Sequence, residues 1–264
     1  MINIIKTIVK SNKLFLVIGE RVSSTLGLNL EKEYKIASYI NDPRIVDIGA
    51  HLGESIKNFR KYSKNYEINS FEPNPELFKI IKNNFKTDNK VVIRNYAISY
   101  SKINYLYIPI LYSFNMRLWA SYKIDVLKDR WEKFTSIKFK KIKIKKIKVK
   151  SKKLDQFNFK TNLIKIDTEG SEFEVVKSGI KTIKKNLPIL IIEYSHTNYE
   201  KIRDFLKKYN YESYLFYKSE NLFERINNKK LREIYKSTTS NNIVFLNSKF
   251  KHFKKGSTIK IINK

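Results

Sequence analysis

The chain contains no cysteine, which excludes disulfides, zinc–thiolate centres and cysteine nucleophiles together. Long apolar runs are missing from its first twenty residues. Lys6, Lys10 and Lys13 interrupt them, and the longest clean stretch there is Leu14-Phe15-Leu16-Val17-Ile18. That is too short for a secretory core or a membrane span, so the expectation is a cytoplasmic chain with no transmembrane segment. Acidic residues are scarce: 25 Asp and Glu stand against 54 Lys and Arg, a formal net charge of +29. Such a balance admits nucleic acid, an anionic membrane surface or an acidic glycan as partner. A coding bias that enriches Lys, Asn, Ile and Tyr together accounts for the same charge without any partner. Lysine greatly outnumbers arginine, although arginine reads phosphate better. No internal repeat or low-complexity linker is present.

What is there is organised around Arg44-Ile45-Val46-Asp47-Ile48-Gly49-Ala50-His51-Leu52-Gly53-Glu54-Ser55. An apolar run closed by an acid, a turn with glycines four apart and then a helical pattern is how a buried parallel strand brings a nucleotide to a helix N-terminus. Gly49 permits the sharp turn and a close approach of backbone to ligand. Gly53 opens the next helix near the sheet, and Asp47 offers its carboxylate to a cationic amino group or to loop amides. The third glycine of the dinucleotide fingerprint is absent, and so is a Walker lysine. The pattern therefore suits a cofactor with no pyrophosphate, and S-adenosylmethionine is the one expected.

A second strand, Ile68-Asn69-Ser70-Phe71, ends in Glu72-Pro73-Asn74-Pro75, at the separation where such folds place the carboxylate that takes ribose hydroxyls. Two strand-end acids at one βαβ spacing strengthen the cofactor reading. At 264 residues the chain buries roughly 70–75% of its unfolded surface, enough for one full α/β core. Residues 1–43 read as a helical N-terminal extension. Within it Tyr34, Ile36, Ala37 and Ile40 carry helical spacing, and Pro43 stops the pattern. Residues 44–264 read as the catalytic domain.

Glu54–Lys64 reads as a polar-faced helix. Leu77, Phe78, Ile80, Ile81 and Phe85 give the helix after Pro75 its apolar face. Val91–Arg94 is a third strand, and the turn holding Asn95 and Ala97 is expected beside the adenine. An inserted β-rich segment at about 101–150 then breaks the βαβ rhythm, with a helix over Tyr122–Phe134. It is expected over the mouth of the site, where Asn115, Arg117 and Trp119 either meet substrate or are ordinary hairpin residues. Lys138–Lys150 alternates lysine with apolar residues, as a strand with one basic face or two strands broken at a doubled lysine. Its lysines either bind an anionic surface or guard an edge strand. Interleaved exposed aromatics that would stack on bases are absent from that segment.

Leu163-Ile164-Lys165-Ile166 delivers Asp167 and Glu169 at a strand's carboxyl end, and Pro188–Ile192 delivers Glu193, with His196 just beyond. Ligands bind on that side of open α/β sheets. Helix capping explains one or two such acids. A polar ligand better explains four, Asp47, Glu72, Asp167 and Glu193, presented to one crevice. Tyr199–Lys208 is helical in spacing. Tyr211–Tyr217 with Leu222-Phe223, and Asn242–Leu246 as the last strand, complete a Rossmann-like, mostly parallel seven-stranded sheet with an antiparallel C-terminal hairpin.

With those residues in hand, the chain resembles the FkbM family of S-adenosylmethionine-dependent methyltransferases. The likeness is carried by Val46–Gly53, Phe71-Glu72-Pro73-Asn74, Asn95–Ser99, Leu154-Asp155, Lys165–Phe173 and Ile192-Glu193. His51 stands where asparagine is more usual. The resemblance implies a class I methyltransferase fold and methyl transfer to an oxygen, in this family often a hydroxyl of a sugar or a polyketide; the acceptor expected here is a sugar, or a surface glycan or glycolipid precursor. Asp47, Gly49, Ala50, His51 and Gly53 are expected at the methionine end, Glu72 and Asn74 at the ribose, and Asn95 and Ala97 near adenine.

For the chemistry, Asp167, Glu169, Glu193 and His196 are the candidates, with His196 titrating near neutrality. Asp167 and Glu193 are also candidate ligands for a divalent cation that would polarise the acceptor hydroxyl. Two rival functions stand beside this. RNA methylation suits the charge, but the Asn-Pro-Pro-aromatic signature is absent, since Asp167-Thr168-Glu169-Gly170 occupies that strand end. A non-catalytic module binding glycan or membrane is the other.

Overall fold

The computed structural model describes residues 32–262, save 112, 136, 195, 228–230, 232–241, 252 and 258, and omits the side chains of 118, 134, 196 and 197. The expected extension before residue 32 lies outside the described residues. Two compact units divide the described residues, 103–150 in one, and 32–102 with 151–262 in the other.

The larger unit is built on parallel strands β1 (Arg44–Ile48), β2 (Glu67–Phe71) and β3 (Val91–Arg94). Helix α1 (Glu54–Tyr62) links the first two, and α2 (Pro75–Asn84) links the second to the third. A short parallel pair, β4 (Ala97–Ile98) and β8 (Ser151–Lys152), clasps the base of the insertion. Beyond it lie β9 (Leu163–Ile166), α4 (Glu172–Ser178), α5 (Ile180–Asn186), β10 (Ile189–Glu193), α6 (His196–Lys207), β11 (Tyr211–Tyr217), β12 (Leu222–Arg225), β13 (Asn242–Asn247) and β14 (Lys260–Ile262). The sheet runs β14-β12-β11-β13-β10-β9-β1-β2-β3.

Its seven strands from β3 to β11 have the expected order, with β13 inserted antiparallel between β10 and β11. Two strands exceed the expectation. β12 extends the edge as a hairpin with β11, and β14 adds itself parallel to β12, so Asn242–Asn247 is not the last strand.

Alternation along the buried strands builds two cores. Val46, Ile48, Ile164, Ile166, Leu190 and Ile192 pack on one face with α4, α5 and α6. Ile45, Leu163, Ile189 and Ile191 pack on the other with α1 and α2. Tyr34, Ile36, Ala37 and Ile40 join that second core from a 3-10 helix over Lys32–Tyr39. There the Tyr34 ring meets Phe59 edge-on at 4.8 Å. Ile80 was expected on the apolar face of α2, yet it is exposed. Leu77, Ile81 and Phe85 repeat four residues apart and fill the contact stripe without it.

The smaller unit holds an antiparallel sheet, β6 (Phe114–Asn115), β5 (Tyr105–Leu111) and β7 (Lys143–Lys148), and helix α3 (Ile124–Phe134). Leu111, Met116, Trp131 and Ile137 form its core. The expected strand over 138–150 begins only at Lys143. Phe139 and Ile142 both pack on that core, and three-residue spacing shares a face in the 3-10 turn at Phe139–Lys141 but not in a strand. The doubled Lys145-Lys146 shifts parity within β7, so lysines occupy both faces. Lys146 and Lys148 oppose Tyr107 and Tyr105 on β5. Lys146 Nζ lies 3.9 Å from the centre of the Tyr105 ring.

Candidate active site

β10, β9, β1 and β2 are consecutive parallel neighbours, so Glu193, Asp167, Asp47 and Glu72 leave four adjacent strands at one end of the sheet. The turn after β1 is drawn across that end. The Gly49 and Ala50 amides both donate to the Phe71 carbonyl at 3.1 Å. Gly49 takes φ 89°, and a Cβ there would stand 1.7 Å from the Asp167 carbonyl oxygen. The close approach that requires this glycine is therefore to the neighbouring strand end. Gly53, at φ 87°, starts α1, and its missing Cβ leaves room for the Phe85 ring. Ala50 and Ala97 are buried in the packed interior.

Asp47 is fully buried, and its Oδ2 accepts from the Ser55 hydroxyl at 2.7 Å and the Ser70 hydroxyl at 3.0 Å. Its Oδ1 has no hydrogen-bond partner. Burial pushes the Asp47 carboxyl up, opposed by the nearby Lys165 charge and the two serine hydroxyls. Glu72 accepts from the His51 amide at 2.9 Å through Oε2 and from the Asn74 amide at 2.8 Å through Oε1. Burial raises it to about 7 against those contacts.

Asn74 caps α2, its Oδ1 accepting from the Glu76 amide at 3.0 Å, while its buried Nδ2 is without a partner. The Asn95 carboxamide donates to the Glu72 and Pro73 carbonyls at 2.8 and 3.0 Å, so it braces the turn after β2. His51 holds φ 47°, a conformation unusual without glycine. Its Nδ1 sits 3.5 Å from Glu54 Oε1, and its Nε2 is buried without a partner. Burial works against the His51 cation, but the contact with Glu54 and the charges of Glu72 and Asp167 raise its pKa.

Asp167, Glu169 and Glu193 bring carboxylate oxygens within 4.8 Å of one another. Lys165, only 3% exposed, reaches Asp167 Oδ2 at 3.0 Å. Burial opposes the Asp167 charge, yet Lys165 and a hydrogen bond from Glu193 hold that carboxyl below its ordinary range. Burial first, and then the Asp167 charge, push the Glu193 carboxyl well above the ordinary glutamate range. Glu169 stands at φ 55°. Its turn is clasped by buried Glu172, which accepts from the Thr168 and Gly170 amides at 3.2 and 2.8 Å and from Asn198 Nδ2 at 2.7 Å. His196 opens α6, but its side chain lies outside the described residues.

Three buried polar atoms, Asp47 Oδ1, His51 Nε2 and Asn74 Nδ2, are thus left unsatisfied about the turns after β1 and β2. Buried polar atoms seldom stay so, and a ligand carrying an amino group and ribose hydroxyls suits them. The donor set suits a resident divalent cation poorly. The ammonium of Lys165 already holds Asp167 at 3.0 Å and would compete with such an ion for that carboxylate. Sequence reasoning assigned no role to Ser55, Ser70, Lys165 or Glu172. A lysine inside an apolar strand was the available signal for one of them.

Among the described residues no helix is long and apolar enough to cross a membrane. No curated protein matches the chain. Solved structures do: a methyltransferase FkbM from Methylobacillus flagellatus is 16% identical, with a TM-score of 0.49 over 77% of this chain and 43% of that one. A precorrin-6y C5,15-methyltransferase from Geobacter metallireducens is 12% identical, with a TM-score of 0.45 over 82% of this chain and 86% of that one. A SAM-dependent O-methyltransferase from Thermotoga maritima is 10% identical, at 0.41 over 81% and 62%. The chain thus spans less than half of the first of these. The methyltransferase FkbM domain model matches residues 47–213, most of the chain and the whole run from Asp47 to beyond Glu193, and the protein belongs to that family.

Proposed function

We propose that the protein methylates a hydroxyl oxygen of a sugar, in a surface glycan or glycolipid precursor, at the expense of S-adenosylmethionine. The observation that carries the reading is that Asp47 Oδ1, His51 Nε2 and Asn74 Nδ2 lie buried and unsatisfied about the turns after β1 and β2, with the Asp167–Glu193 carboxylate pair at the same end of the sheet. The saccharide is supported by the family resemblance, and the oxygen acceptor by that pair. When bound, S-adenosylmethionine supplies a methyl carbon already activated by its sulfonium. Asp47 would receive the amino group and Glu72 and Asn74 the ribose, while Asn95, which braces the turn after β2, would border the adenine. The chain then aligns the acceptor oxygen, worth about 10⁵–10⁸ M in effective molarity. It also removes the hydroxyl proton, worth about 10²–10⁴ in rate.

Glu193, in its ionised state and held in place by Asp167, would take the proton of the acceptor hydroxyl. Glu169, whose carboxylate lies with those of Asp167 and Glu193, flanks the acceptor side. We place the enzyme in the cytoplasm, against an anionic membrane face that the β7 lysines meet. Incubation with methyl-labelled cofactor and a panel of nucleotide sugars, glycolipids and RNA tests the reading. Label is expected in a saccharide; label in RNA, or no calorimetric binding of the cofactor, overturns it.

A further inference from the structure

Lys165 stands directly opposite Asp47 in the parallel register of β9 and β1. Both residues point to the α1 side of the sheet, the face to which Ile45, Leu163 and Ile191 also belong. A lysine this deeply buried persists only where anions hold it. The charged groups around it come from each neighbouring element: Asp47 on β1, Asp167 beyond its own strand and Glu193 on β10. Beyond these, His51 in the turn after β1 acts on Asp167, and Glu72 beyond β2 acts on Asp47. Its ammonium contacts Asp167 Oδ2 at 3.0 Å, and it acts on Asp47 across the strand pair.

We infer that Lys165 is a positioning residue that joins the two halves of the site, keeping Asp47 anionic for the cofactor's amino group while fixing Asp167 beside Glu193. The inference rests on the cofactor reading above. Two serine hydroxyls take one oxygen of Asp47 and leave the other for a charge-assisted hydrogen bond, roughly twice as strong as a neutral one. Without a cation beside it, a buried carboxyl takes up a proton and loses that bond. Lys165 therefore acts on cofactor affinity through Asp47 and touches no substrate itself.

The test is calorimetry of the full chain with S-adenosylhomocysteine. Lys165→Met is expected to weaken binding about tenfold and Lys165→Arg to restore most of it, tenfold being about 1.4 kcal/mol. In an Asp47→Asn background Lys165→Met is expected to add no further loss. An equal loss in that background, or none in either, overturns the role. Should Lys165→Met fail to fold, the Lys165→Met/Asp47→Asn chain, which removes one charge of each sign, is expected to fold. Its unfolding as well would make Lys165 a stabilising residue with no tie to Asp47, and overturn the role. Failure of the unmodified chain to bind is a different result, which overturns the cofactor reading itself and this role with it.

Discussion

The amide of His51 donates to the carboxylate of Glu72 at 2.9 Å, so the turn after β1 and the end of β2 are one hydrogen-bonded unit. Burial holds that carboxyl at about 7 against an ordinary 4.5. Because the folded value is raised, the stability it contributes is fully present below the ordinary glutamate pKa. It is lost as pH climbs through about 7, of order 3 kcal/mol in all. Urea midpoints between pH 4.5 and 8 are expected to fall more steeply for the unmodified chain than for Glu72→Gln. Parallel curves would contradict the assignment.

Gly49 and Gly256 separate strain from crowding. Both have φ above +80°, but a Cβ on Gly49 meets the Asp167 carbonyl oxygen, while one on Gly256 meets nothing within 4 Å. Gly256→Ala is expected to cost about 1–2 kcal/mol through backbone strain alone. Gly49→Ala adds a backbone collision and is expected to cost about 4 kcal/mol or more. Thermal unfolding of the two variants measures the difference.

Glu193→Gln removes the proposed base and leaves the cofactor side untouched. Its kcat is expected to fall about 10²–10⁴-fold, with affinity for S-adenosylhomocysteine unchanged. A variant that kept its kcat would shift the role to another group.

Dialysis against a chelator is expected to leave turnover intact, since Lys165 already pairs with Asp167 in the acidic cluster. Loss of turnover restored by magnesium would reverse that conclusion.

Lys143, Lys146 and Lys148 are exposed on β7. Replacing them with threonine, which keeps strand propensity, is expected to abolish sedimentation with phosphatidylserine vesicles. Turnover on a soluble acceptor is expected to persist. Retained sedimentation would mean that these lysines serve only as edge-strand guards.

The sequence by itself determined the strand-turn-helix run at Val46–Gly53, the acid-ended strands and the sheet order they imply. Apolar runs, glycines and acids recur there at spacings fixed by chain geometry, which are local quantities. It also marked Asp47, Glu72, Asp167 and Glu193 as strand ends facing one side. Tertiary structure decided what those groups do with their oxygens. Asp47 spends one on Ser55 and Ser70, and Glu72 spends both on backbone amides. Asn95 braces a turn, and Gly49 makes room for a neighbouring strand. Lys165 acquires its role only through register with a strand more than a hundred residues earlier. Hydrogen bonds and ion pairs are made between residues remote in the chain, and no periodicity in one strand records which partner the fold will bring against it.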